Sequence, residues 1–157
     1  MQNKSDYMRK AIALATRNVL SNQGGPFGAV IVKDGEIIAY GSNSVTSRFD
    51  PTAHAEIVAI RMACQILGDF SLKGCEIYTS CEPCPMCLAA CYWARLDKIY
   101  YGCSAAEAAL IGFDDEFIYK EFRKKPEART LPTVKLLGRE ARASFQEWSK
   151  SQKKIAY

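Results

Sequence analysis

The chain holds one histidine, His54, and seven cysteines, four of which crowd into the eleven residues from Cys81 to Cys91. The histidine sits in His54-Ala55-Glu56, and the crowded cysteines include the pair in Pro83-Cys84-Pro85-Met86-Cys87. Each segment stands at the start of a run with helical periodicity. One imidazole and two thiolates are the ligand types of a borderline-soft cation in tetrahedral coordination. If they serve one ion, the fold must deliver two helix starts to the same edge of a sheet.

The rest of the pattern allows that. Tyr7, Met8, Ala11, Ile12, Ala15 and Val19 recur at helical spacing after a start at Ser5 or Asp6, and Gly24-Gly25-Pro26 closes the segment. Gly28 to Lys33 and Glu36 to Tyr40 read as strands joined by Asp34-Gly35, a dipeptide suited to the positive φ angles of a tight hairpin. Asp50-Pro51-Thr52 opens a second helix, stopped by Gly68. A third strand spans Cys75 to Thr79, and a third helix runs from the Pro83–Pro85 region to about Arg95, with proline tolerated in its first turn. Lys98 to Gly102 is a fourth strand and Thr133 to Leu137 a fifth. Short helices are expected at Ser104–Leu110 and Asp114–Phe122, and an amphipathic one at Glu140–Lys153. Strands alternating with helices predict an α/β fold: a three-layer α/β/α sandwich around a mixed five-stranded sheet.

Length and composition bound the function. At 157 residues the chain is expected to form a single domain, 1–157. No apolar run approaches the roughly 20 residues of a membrane span, and the polar start of the chain offers no apolar core of a secretory signal. An odd number of cysteines without such a signal argues against a disulfide framework and for a reducing cytoplasm. The net charge of +4 is mild. Its basic residues gather at Arg123-Lys124-Lys125 and Lys150–Lys154, which read as solvated helix faces rather than a nucleic-acid stripe.

Three protein ligands, His54, Cys84 and Cys87, leave a fourth position of Zn²⁺ for water, the mark of a catalytic rather than a structural site. Two helix N-termini aimed at the metal would help hold the thiolate charge. Glu56, two residues past His54, cannot easily ligate the same ion, but it can reach the metal's water and move protons. The order H-x-E…P-C-x-x-C is the recognised signature of zinc deaminases.

Other readings use the same residues. His54 as a helix cap and Glu56 as a first-turn acid on its helix dipole are structural possibilities. Cys81, Cys84, Cys87 and Cys91 are spaced like a bacterial ferredoxin run, which would make the chain an iron–sulfur electron carrier. Tyr92 in place of proline after Cys91, the lack of a second run and the helical look of Cys84–Arg95 weigh against it. Cys91 is then core packing, Cys81 a strand end, and Cys64, Cys75 and Cys103 buried small apolar residues. A purely structural zinc module is a third class, disfavoured by Glu56 and the open ligand set. Gly24-Gly25-Pro26-Phe27-Gly28 fits no phosphate-binding loop; it is a turn, or it places Phe27 under a planar substrate.

These residues resemble the cytidine and nucleobase deaminase superfamily, and within it the bacterial guanine deaminases. The similar segments are Gly25–Gly35, Asp50–Glu56, Tyr78–Cys87, Tyr92-Trp93-Ala94-Arg95, Gly112–Glu121 and the terminal tyrosine. The resemblance implies hydrolysis of guanine to xanthine and ammonia, with water attacking C2 and the 2-amino nitrogen leaving. It further implies that Asn43 and Asp115 hold the purine, that Phe27 and Trp93 line its slot, and that the backbone N–H of Ala55 meets the ring's acceptor edge. Asn43 serving a turn, and Asp114 or Asp115 capping a helix, stand as plain alternatives. Lys153-Lys154-Ile155-Ala156-Tyr157 resembles a closing segment that covers an active site, often that of a neighbouring subunit, so a homodimer with tail exchange is expected and Tyr157 is a substrate-contact candidate. The wider superfamily leaves adenosine in tRNA, cytosine and guanosine as alternative substrates.

Overall fold

The structure is a computed structural model, and it describes residues 3–156. The chain divides into two compact units, Met1–Asp115 and Glu116–Tyr157, and each is described by itself.

The first unit is built on a mixed four-stranded sheet. Its strands are β1 (Gly28–Lys33), β2 (Glu36–Ser42), β3 (Cys75–Cys81) and β4 (Lys98–Cys103), in the order β2-β1-β3-β4. β1 runs antiparallel to both β2 and β3, while β3 and β4 are parallel. Asp34 and Gly35 both take positive φ, at 51° and 81°, and so close the β1–β2 hairpin with the twist its strands require. Helix α1 (Lys4–Leu20) covers one face, where Tyr7 and Leu14 pack on Val30, Val32 and Tyr78. The other face of β1, at Ala29 and Ile31, meets Ala55, Ala59 and Ala63 of α3 (Ala55–Leu67), with Cys91 of α4 (Pro85–Trp93) in the same cluster. Alternate residues of one strand thus feed two cores, the sign of a sheet buried on both faces. The three-layer α/β/α arrangement is as the sequence pattern predicts.

Close approach of helix to sheet depends on small residues. A Cβ on Gly41 of β2 would run into the carbonyl oxygen of Ala55 and lie 2.7 Å from the amide nitrogen of Ala59, both backbone atoms of α3. The start of α3, and with it His54 and Glu56, is seated directly on the strand by this contact.

Several boundaries differ from the sequence reading. The N-cap of α1 is Asn3 rather than Ser5 or Asp6; its side chain accepts from the Asp6 N–H at 3.0 Å and Asp6 returns the bond. Asp50 to Thr52 do not open the second helix, because the Asp50 carboxylate accepts from the Thr52 N–H at 2.8 Å and locks a local turn. A short helix α2 (Val45–Arg48) precedes that turn, and α3 begins at Ala55. α5 (Ala105–Ala109) is capped by Ser104 through a reciprocal bond with Glu107. Cys64 is half-buried and Cys103 is exposed on the edge strand, whereas Cys75 is buried.

The second unit holds α6 (Glu116–Arg123), a 3₁₀ turn (Pro126–Ala128) and α7 (Gly138–Lys150). The expected fifth strand at Thr133–Leu137 is instead irregular. Its β-branched and apolar residues suit a strand, but a strand forms only with a ladder partner, and the second unit contains no other strand among its described residues. No described residue of this unit is buried.

Candidate metal centre and substrate cavity

Because β1 is antiparallel to β3, the start of β1, the end of β2 and the end of β3 reach the same edge of the sheet. Phe27 precedes β1, Asn43 follows β2, and Cys81 ends β3. Edges where parallel strands finish are the usual ligand crevices of open α/β sheets. A cavity of about 630 Å³ opens here, lined by Phe27, Asn43, His54, Glu56, Cys84 and Asp115 among others.

The ligand candidates sit at helix N-termini. His54 is the N-cap of α3 and Cys84 the N-cap of α4, with Pro85 next in line and Cys87 completing the first turn. Cys84 Sγ lies 3.5 Å from the Cys87 N–H nitrogen and accepts from it. His54 Nδ1 lies 3.5 Å from Cys84 Sγ and 3.5 Å from Cys87 Sγ. In a tetrahedral site with metal–sulfur bonds near 2.3 Å and metal–nitrogen bonds near 2.0–2.1 Å, such N and S atoms stand about 3.6 Å apart. All three donor atoms fall within 4.8 Å of one another. Donor types and spacing therefore fit a zinc ion with one position left open.

The charges agree with that fit. The Cys84 thiol is pushed down to about 4, chiefly by a hydrogen bond from Cys87 and also by His54. The Cys87 thiol is pushed up by the sulfur of Cys84 and by burial. The two sulfurs thus compete for one negative charge, and a cation bound between them would favour both as thiolates. His54 is raised, first by its contact with Cys84. Glu56 is buried on α3, and burial pushes its carboxyl above the ordinary carboxylate range. Asp115 is half-buried at the cavity wall, and loss of solvent raises it as well.

Asn43 is buried, and its side chain is held in one orientation. Its Oδ1 accepts from the N–H of Gly25 at 3.4 Å and of Val45 at 3.3 Å. The group left for a ligand is the Nδ2 end of the carboxamide, a donor. Phe27 packs edge-to-face against Phe113, with ring centres 4.8 Å apart, giving the cavity an aromatic wall. Ala55 is fully buried as the first residue of α3, where the backbone N–H has no partner within the helix.

Two candidates lie elsewhere. Trp93 does not line the cavity: it ends α4, nine residues beyond Cys84, which puts it about 13 Å along the helix at 1.5 Å per residue, and it is 65 % exposed. Tyr157 lies outside the described residues. Conversely, sequence reasoning missed Phe113 and Glu82. Phe113 is signalled only by being an aromatic between Gly112 and Asp114. Glu82 lines the cavity while its carboxylate accepts from the Ala105 N–H at 2.9 Å, tying the end of β3 to α5. Cys91, part of the possible ferredoxin run, is buried in the core under α3 rather than grouped with the three donors.

A His/Cys/Cys donor set at two helix starts, open to a cavity with a buried glutamate beside it, defines a zinc-dependent deaminase. Residues 1–103 match the family model described as the cytidine and deoxycytidylate deaminase zinc-binding region, and the chain belongs to that family. It is 51 % identical to guanine deaminase of Bacillus subtilis (strain 168) over 155 residues, 99 % of each chain. The X-ray structure of guanine deaminase from Bacillus subtilis superposes with a TM-score of 0.97 at 51 % identity, over 99 % of both chains. A tRNA-specific adenosine deaminase of Agrobacterium fabrum (strain C58) is 43 % identical over 102 residues, 65 % of this chain and 66 % of that one.

Proposed function

We propose that this chain hydrolyses guanine to xanthine and ammonia, with zinc held by His54, Cys84 and Cys87. The observation that carries the reading is the grouping of these three donors within 4.8 Å, where His54 and Cys84 line one cavity together with Glu56 and Cys87 lies buried behind them. Guanine is favoured over other bases by the identity to a guanine deaminase, which extends over 99 % of both chains, whereas the similarity to the tRNA enzyme stops at 65 % of this one.

Zinc, when bound, supplies Lewis-acid activation of water at near-neutral pH. Glu56 takes the proton of the attacking water and hands it to the departing 2-amino nitrogen. Its burial favours this double duty, because a carboxyl raised toward neutrality both accepts and releases a proton readily. The balance is guanine plus water giving xanthine plus ammonia, with bond formation at C2 and cleavage of the exocyclic C–N bond. Asn43 offers its Nδ2 hydrogens to an acceptor on the purine. Asp115 accepts a ring N–H of the imidazole half. Phe27 lines the slot for the flat ring, and the Ala55 N–H meets its acceptor edge.

The finer assembly belongs to the same proposal. We take residues 1–157 as one deaminase domain, since the similarity to the Bacillus subtilis enzyme runs through both units. The second unit has no buried residue among those described, yet exposes Phe117, Phe122, Phe145 and Trp148. A segment with that much uncovered apolar surface is suited to a second copy of the chain, so the protein works as a homodimer whose tail, ending in Tyr157, covers a neighbour's active site. All seven cysteines are free, which suits a reducing cytoplasm. No helix among the described residues is long and apolar enough to cross a membrane.

The test is ammonia release from guanine, guanosine, adenine, cytosine and a tRNA anticodon stem-loop, with zinc measured on the same sample. Guanine alone is expected to react. Absence of ammonia from guanine in zinc-loaded protein rejects the reading.

A further inference from the structure

Asn18 is a polar side chain buried near the end of α1, on a helix otherwise packed through apolar residues. Its amide donates twice. One bond runs to the carbonyl oxygen of Gly25 at 2.9 Å, the other to the carbonyl oxygen of Asn43 at 2.8 Å. The two acceptors belong to the two segments that supply Phe27 and Asn43 to the cavity. The Gly25 carbonyl also accepts from the Phe27 N–H at 2.8 Å, and the Asn43 N–H donates to the Phe27 carbonyl at 3.0 Å. The Gly25 N–H in turn donates to Asn43 Oδ1. Gly24 leaves the room for this knot: a Cβ there would collide with the Asn43 carbonyl and crowd Asn18 Nδ2 at 3.0 Å.

We infer that Asn18 is a positioning residue for substrate binding. It is the one side chain that ties both segments to α1 in this network, and it acts through Asn43. By holding the carbonyl on one side of Gly25 and the carbonyl of Asn43 itself, it restrains both ends of the Gly25 N–H to Asn43 Oδ1 bond, which keeps the donor half of the Asn43 amide toward the cavity. Buried carbonyls require donors, and Asn18 supplies one to the Asn43 carbonyl and a second, beside the Phe27 N–H, to that of Gly25. The inference rests on the assignment of Asn43 and Phe27 to the purine slot.

The experiment compares Asn18→Leu, which removes both donors at similar size, and Asn18→Asp, which keeps the shape but sets oxygens against two carbonyls. Leu14→Ala, elsewhere in the apolar face of α1, controls for loss of helix packing. Amide hydrogen exchange of the Gly25, Phe27 and Val45 N–H groups is followed in the zinc-loaded protein. The KM and kcat for guanine and the inhibition constant of xanthine are then measured. Both Asn18 variants are expected to speed exchange at these amides and to raise KM and the xanthine constant about tenfold, with kcat held within roughly threefold and zinc content unchanged, since one lost binding contact is worth about that factor. Leu14→Ala lowers the melting temperature without these changes. Wild-type exchange in both Asn18 variants, or equal changes in Leu14→Ala, overturns the inference. Should the wild type neither deaminate guanine nor bind xanthine, the substrate reading fails, and the exchange comparison alone decides whether Asn18 positions the two segments.

Discussion

His54 Nδ1 and Cys84 Sγ stand 3.5 Å apart although thirty residues separate them in the chain. Each atom belongs to the N-cap of a different helix, so the site depends on how α3 and α4 leave the sheet rather than on any local loop. Replacing His54 by alanine removes one of only three protein ligands and leaves the two sulfurs to hold a cation alone. His54→Ala is expected to lose zinc by at least about tenfold in affinity. Metal analysis after dialysis against a weak chelator checks this, and retention of one zinc per chain would show that the ion is held elsewhere.

Glu56 tests the chemistry apart from the metal. It lies on the same helix turn as His54 but its carboxyl is not among the three grouped donors. Glu56→Gln keeps the size and removes the proton exchange. Zinc content should stay at one per chain while kcat drops by about 10² to 10⁴, the usual worth of a general acid–base group. A glutamine enzyme at the wild-type rate removes Glu56 from the proton path.

Much of this was legible before any coordinates. The hairpin followed from Asp34-Gly35 because positive φ at two successive positions is a demand few dipeptides meet. The donor set followed from residue type and order, since His54 is the only histidine. The fifth strand was misread because Thr133–Leu137 has the right residues, and residue type says nothing about whether a partner strand exists. Trp93 does not line the cavity of its own chain, because it stands at the far end of α4 from Cys84, a distance along the helix that similarity of a segment does not carry. Asn18 and Phe113 were not singled out at all: a buried asparagine on an amphipathic helix looks like an ordinary polar position until its two carbonyl partners, seven and twenty-five residues away, are seen.

Asp115 should separate free base from nucleoside. A carboxylate that accepts a ring N–H of the imidazole half favours guanine, because a nucleoside carries a sugar on N9. Asp115→Ala is expected to lower kcat/KM for guanine by about 10- to 100-fold, the range for a hydrogen bond to a charged group. Burial raises the Asp115 carboxyl, and its ionised form accepts the ring N–H more strongly than the neutral acid does. Guanine binding should therefore weaken as pH falls through that raised value, at a higher pH than an exposed aspartate would give, and Asp115→Asn should flatten this limb. Unchanged guanine turnover in Asp115→Ala sinks the assignment.

Gly41 links the sheet to the site mechanically. A methyl group there meets the α3 backbone at Ala55 and Ala59, and neither atom is the free end of a flexible side chain. The helix must shift off β2, and the N-cap that carries His54 shifts with it. Gly41→Ala is expected to destabilise the fold by about 1–3 kcal/mol, the ordinary cost of overpacking, and to weaken zinc binding in step. Thermal melts with and without added zinc measure both effects. Wild-type stability and zinc affinity together would mean that α3 is less tightly seated than its contacts with Gly41 indicate.

The tail offers the sharpest test of assembly. Ser151 to Ala156 contain no helix and no buried residue, and Ile155 is 66 % exposed. Such a segment contributes little to the packing of its own unit, so removing residues 150–157 should leave the fold and the zinc intact. If the tail covers a neighbour's cavity, its loss admits water to the slot and removes the terminal aromatic from the substrate. Turnover of guanine should then fall by about tenfold or more at unchanged zinc content. Mixing the truncated chain with a full-length Glu56→Gln chain should restore activity, because one supplies the working site and the other the tail. Full activity in the truncated protein alone would show that the tail has no catalytic role, and failure of the mixture to recover, with both chains shown to associate, would place the tail over its own site instead.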